Sequence, residues 1–168
     1  IYAPIAMHVL GSAWMANDRE LLDQVGGTID ESCKTLIQNV DLTPEPLFNA
    51  TLHLTRIRVA WFTGRGDVLT KTMPDLDRAV RALDRWGQWY WEGERDIHTH
   101  SVVKALLERK ADAVKAGLVK YDEYLTEQRG ASPTVSELVD EEFISLASTA
   151  QDLGIVLPKF DTILLPVR

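Results

Sequence analysis

Thr134-Val-Ser-Glu-Leu-Val-Asp-Glu-Glu-Phe-Ile-Ser-Leu-Ala-Ser-Thr-Ala-Gln-Asp-Leu-Gly-Ile-Val-Leu-Pro158 is the stretch whose reading decides the fold class. Thr134 and Glu137 have the T-x-x-E spacing of a capping box, in which hydroxyl and carboxylate each accept from the other's backbone amide. Leu138, Val139, Phe143, Leu146, Ala147, Ala150 and Leu153 then recur every three or four residues, which predicts a helix with one apolar face. Gly154 is placed to end it in a left-handed conformation, and Pro158 bars its continuation. Ile155, Val156 and Leu157 make a short apolar plug, expected to be buried with the helix.

The same logic runs outward through the chain. Residues 2–16, with Ile5, Val9, Leu10, Ala13 and Trp14, read as a buried helix with His8 on or beside its apolar face. Asn17 and Asp18 can cap a second helix, which Gly26-Gly27 is expected to break. Thr28-Ile-Asp-Glu31 repeats the capping-box spacing and opens a helix carrying Ile29, Cys33, Leu36, Ile37 and Val40. Cys33 falls on its apolar side and reads as an inert thiol.

Thr43-Pro44 signals another start, followed by Leu47, Ala50, Leu54, Ile57 and Trp61 at helical spacing. Arg56 to Phe62 also alternates, and Gly64-Arg-Gly-Asp67 could turn a hairpin, but length favours helix. Pro74 is expected to start the next helix. Residues 99–116 and 118–127 read as two further helices divided by Gly117, and Gly130-Ala-Ser-Pro133 reads as a linker. The fold expected is all-α, about six to eight helices, in a single helical domain spanning 1–168.

The 168 residues are enough for a substantial core. A net charge of −7 argues against a nucleic-acid or anionic-membrane partner. One cysteine precludes an intrachain disulfide and suits a reducing compartment, so a cytoplasmic location is expected. No run reaches the ~18 apolar residues of a membrane span, and the first residues lack the pattern of a signal peptide. His98 and His100 could share a metal only on extended backbone. On a helix they point about 200° apart, so no metal is expected. Trp86, Trp89, Tyr90 and Trp91 form an aromatic cluster that could line a ligand pocket or an interface.

Glu137-Leu-Val-Asp140, Leu146-Ala147 and Leu153-Gly-Ile-Val-Leu-Pro158 together resemble the closing helix of the C-terminal domain of ketopantoate reductases. Arg19-Glu-Leu-Leu22 and Asn39-Val-Asp-Leu-Thr-Pro-Glu-Pro-Leu47 are similar to two further stretches of that family. The resemblance covers a minority of the chain. It implies a helical domain like that of 6-phosphogluconate dehydrogenase-type oxidoreductases, one that closes a substrate cleft over a small 2-keto or 2-hydroxy acid and forms a homodimer. It carries over one site residue, Glu137, as catalytic.

The implied cofactor is NADP, held by a Rossmann domain. No Gly-x-Gly-x-x-Gly occurs here, so that domain is absent from this chain. Residues 1–17 lack the lysine that the family's first helix carries, and residues 48–100 have no counterpart in its pattern. The alternative reading is a non-catalytic helical module that binds a ligand or protein through a pocket near Trp86–Trp91.

Overall fold

The computed structural model describes residues 3–86, 91–129 and 140–162, and side chains within 7–82, 95–129 and 140–162. The described residues form seven α-helices and no strand, so the chain is all-α. They group into two compact units, residues 1–93 and 94–168. No helix among the described residues is long and apolar enough to cross a membrane.

The first unit contains α1 (Ala3–Met15), α2 (Arg19–Asn39), α3 (Pro46–Phe62) and α4 (Gly66–Trp86). Asp18 caps α2, its Oδ1 accepting from the Leu21 amide at 3.0 Å, as the sequence suggests. α2 does not stop at Gly26-Gly27, as expected, but runs through both. The reason is tertiary. A Cβ on Gly26 would lie 2.9 Å from Thr63 Cγ2 and 3.3 Å from Val59 Cγ1, so the glycine marks where α2 crosses α3. Thr28 is therefore no cap, and its hydroxyl donates to the Gln24 carbonyl one turn back, at 3.0 Å.

α3 opens at Pro46, later than the predicted Thr43-Pro44, because Asp41 Oδ1 accepts from the Thr43 amide at 3.0 Å and holds a turn there. Arg56 to Phe62 is helical, and α3 is buried on several sides, with Leu54, Ile57, Val59 and Ala60 inaccessible. It is the central helix of its unit, packing on α1, α2 and α4. Leu10, Leu22, Ile29, Cys33, Leu52, Val59 and Phe62 form a shared core.

Gly64, at φ +73°, ends α3, and α4 begins at Gly66 rather than at Pro74. Pro74 sits inside α4, on its exposed side. Thr70, whose carbonyl loses its partner amide to the proline, is an exposed residue as well. The buried face of α4 is Leu69, Met73, Leu76, Ala79 and Val80.

The second unit contains α5 (Trp91–Leu107) from residue 94 onward, α6 (Ala111–Gln128) and α7 (Glu141–Asp152). The turn between α5 and α6 is at Arg109, φ +55°, not at Gly117. Gly117 lies within α6, where a Cβ would meet Val102 Cγ2 of α5 at 2.9 Å. The helix predicted from Thr134 is described as α7, capped by Asp140 in extended conformation. Asp140 Oδ1 accepts from the Phe143 amide at 2.7 Å, which gives a side-chain-capped start inside the predicted helix.

Gly154 adopts φ +78°, and the Ile155 amide donates to the Ala150 carbonyl at 3.0 Å, the glycine-terminated ending the sequence predicts. The apolar plug differs from expectation. Leu153 is 52 % and Val156 80 % exposed, while Ile155 and Leu157 are half-buried. Phe160, packing edge-on against Phe143 at 5.1 Å, supplies the buried anchor instead.

Candidate functional site

The residues singled out by the sequence are dispersed. Glu137 lies outside the described residues, and so do the side chains of Trp86, Trp89, Tyr90 and Trp91. His98 and His100 both fall on α5, and the His98 ring packs against Tyr121 (5.8 Å) and Tyr124 (5.2 Å). The helix turns the two histidines apart, and no cluster of three metal-ligating side chains occurs among the described residues. Cys33 is buried. Burial, helped by the charge of Asp30, pushes its thiol up to about 11, which leaves it protonated and a poor nucleophile at neutral pH. His8 lines an open, mainly apolar groove of about 450 Å³ with Val9, Ser12, Ala13 and Leu21.

Two polar clusters do form, one in each unit. In the second unit Arg95 on α5 donates through Nη2 to Asp140 Oδ2 at 2.6 Å and through Nε to the Tyr121 hydroxyl at 3.1 Å. Tyr121 on α6 is inaccessible to solvent and donates to Glu142 Oε2 at 3.2 Å. Tyr121, Asp140 and Glu142 together hold the guanidinium far above its ordinary range. Among the ion pairs of the described residues, one cation here, Arg95, faces two carboxylates. A further anion would meet repulsion, and the cluster serves to tie α5, α6 and the start of α7 together. The same unit anchors its end through Asp122, whose carboxylate accepts from the amides of Asp161 (2.9 Å) and Thr162 (2.8 Å).

The first unit reverses the balance. Asp30 on α2 is 2 % exposed. Its Oδ1 accepts from Arg56 Nε at 2.8 Å, Lys34 Nζ stands 2.9 Å from Oδ2, and Arg65 Nη2 stands 3.7 Å from the same oxygen. Burial alone would raise the Asp30 pKa. The hydrogen bonds and charges of Arg56 and Lys34 outweigh it and hold the carboxyl below 3.8. Three cations thus converge on one buried carboxylate, with Glu31 adding a second at the exposed rim, 3.5 Å from Lys34.

Arg65 Nη2 is buried and has no hydrogen-bond partner. Among the described residues Arg56 engages a neighbour only through Nε, which leaves its two terminal nitrogens as spare donors. This cluster is the candidate site, and the chemistry open to it is recognition of an anion.

The sequence carried a faint sign of it. Asp30 stands three residues before Cys33 and four after Gly26, on the apolar side of its helix, and Arg56, like Arg58, falls in a helix most of whose residues are apolar. The capping-box reading of Thr28–Glu31 obscured the first.

Neither a family model, a curated protein nor a solved structure matches the chain.

Proposed function

We propose that the chain is the helical, substrate-closing part of an NAD(P)-dependent oxidoreductase of the ketopantoate-reductase kind, acting on a small 2-keto or 2-hydroxy acid and working as a cytoplasmic homodimer. The observation that carries this reading is the ending of α7. A buried helix stops at Leu153, Gly154 is left-handed, and Ile155 to Pro158 continues out of the helix, in the order on which the resemblance rests.

The all-helical fold agrees with it. The described residues offer no seat for a dinucleotide, having no strand and no glycine-rich loop, so the cofactor would be held elsewhere in the enzyme. This chain would contribute shape and charge to the cleft, with Glu137 as the carried-over catalytic residue. The test is NADPH oxidation by the protein made from its complete coding region, against a panel of 2-keto acids. Turnover that falls about a hundredfold in Glu137→Gln supports the reading. Absence of NADPH binding overturns it.

A non-catalytic interaction module is the second reading. Leu36, Val40 and Phe48, around the connection between α2 and α3, are each more than a third exposed and favour it. A stable complex that forms without NADPH binding would decide for it.

A further inference from the structure

We propose that the guanidinium groups of Arg56 and Arg65, set around Asp30, form a binding site for a small oxyanion, a carboxylate or a phosphate.

A guanidinium has five N–H donors, and a buried donor without an acceptor is costly. Arg65 spends Nε on Thr63 Oγ1 at 3.2 Å and leaves Nη2 buried and unpartnered, 3.7 Å from Asp30 Oδ2 and beyond hydrogen-bond reach. Arg56 spends Nε on Asp30, which leaves its terminal nitrogens for a second acceptor. Asp30 does not serve Arg65 in this arrangement: its Oδ1 accepts from Arg56, its Oδ2 pairs with Lys34 at 2.9 Å, and Arg65 Nη2 stays 3.7 Å away.

Charge gives the same answer. Lys34, Arg56 and Arg65 face one buried carboxylate, in a chain whose net charge is −7. An arriving anion relieves repulsion among the cations, and two planar forks suit the paired oxygens of a carboxylate or phosphate.

Access is through Arg65. Its side chain is 38 % exposed, against 17 % for Arg56, and it sits in the Gly64–Gly66 connection ahead of α4. The Val68 and Leu69 amides both donate to the Arg65 carbonyl, so backbone bonds fix the connection, with Nη2 turned inward and the rest of the side chain partly exposed. The cluster of the second unit is the internal contrast. Arg95 there is outnumbered by Asp140 and Glu142 and has no such surplus.

The site is independent of the oxidoreductase reading, since it needs no cofactor. The experiment is thermal melting and isothermal titration of the full chain with inorganic phosphate, with pyruvate, and with chloride at matched ionic strength. Phosphate or pyruvate should raise the Tm in a saturable way that chloride does not reproduce. Response to both identifies a shared oxyanion site. Response to pyruvate alone identifies a carboxylate site, and response to phosphate alone a phosphate site.

Arg65→Gln should weaken binding about tenfold or more. Arg65→Lys, which keeps the charge but loses the fork, should fall between. Arg56→Gln strips Asp30 of its closest partner and risks misfolding, so the half-exposed Arg65 carries the test. No saturable response to either anion, or an unchanged response in Arg65→Gln, would overturn the proposal. Failure here leaves NADPH turnover untouched, and failure of turnover leaves this site standing.

Discussion

Gly26 of α2 lies so close to Thr63, just past the end of α3, that a Cβ on the glycine would come within 2.9 Å of the Thr63 methyl group. That methyl is not free to rotate away. The Thr63 hydroxyl donates to the Val59 carbonyl at 2.7 Å and accepts from Arg65 Nε at 3.2 Å, which fixes the rotamer. Gly26→Ala should therefore destabilise by about 1–3 kcal/mol through overpacking. Its neighbour is the control. Nothing lies within 4 Å of a Cβ on Gly27, so Gly27→Ala should stabilise by about 0.5–1 kcal/mol through helix propensity. Denaturant melts of the two variants check the opposite signs.

Asp30 predicts an acid limb. Its carboxyl is held below the ordinary carboxylate value in the folded protein, so its contribution is complete above about pH 5 and is lost as pH falls through the folded value. Asp30→Asn should cost about 3 kcal/mol at neutral pH, because three cations lose their buried partner. It should also flatten the stability profile below pH 4. An unchanged acid limb in the variant would remove Asp30 from this role.

His53 on α3 sets a second pH window. It is 8 % exposed, and its Nδ1 is buried without a partner. Burial lowers its pKa below 6.5. Asp75 on α4 opposes that shift, and Arg56 and Arg78 reinforce it. The unfolded chain takes the proton first, so stability should fall as pH drops below about 6.5 and stop falling once the folded histidine titrates. His53→Leu should remove that slope and melt no lower than the parent at pH 7. Melting curves between pH 5 and 7.5 read both effects.

Arg95 and Asp140 should be energetically coupled. Asp140 both caps α7 and accepts from Arg95 at 2.6 Å. Asp140→Ala should lose about 1 kcal/mol for the cap alone. A double-mutant cycle with Arg95→Met should add a coupling energy of about 0.5–3 kcal/mol, and strict additivity would show that the pair contributes nothing beyond the cap.

Cys33 should be silent in the folded protein. With the thiol buried and pushed up to about 11, its reaction with a disulfide reagent at pH 8 should be far slower than in denaturant. Equal rates in the two conditions would mean that the α2–α3 core opens readily.

What the sequence determined by itself is what lies along a single stretch of chain. Hydrophobic spacing gave the helical class, Asp18 the start of α2, Gly154 the end of α7, and the apolar side of α2 the burial of Cys33. Each depends on neighbours within one or two turns, and those are visible in the residue order.

What only the tertiary structure decided depends on which helix lies opposite. Gly26 and Gly117 read as breakers because glycine ends isolated helices. Packing against Thr63 and Val102 turns them into crossing points instead. Pro74 read as a start, yet α4 carries it on a solvent-facing side where the lost hydrogen bond costs least. Asp30 and Arg56 are 26 residues apart and Arg95 and Asp140 are 45 apart, so the arginine partner of neither cluster has a local signature. A lone charge on an apolar face hints at a partner, and only the packed helices say which one, because an ion pair is selected by distance in space rather than along the chain.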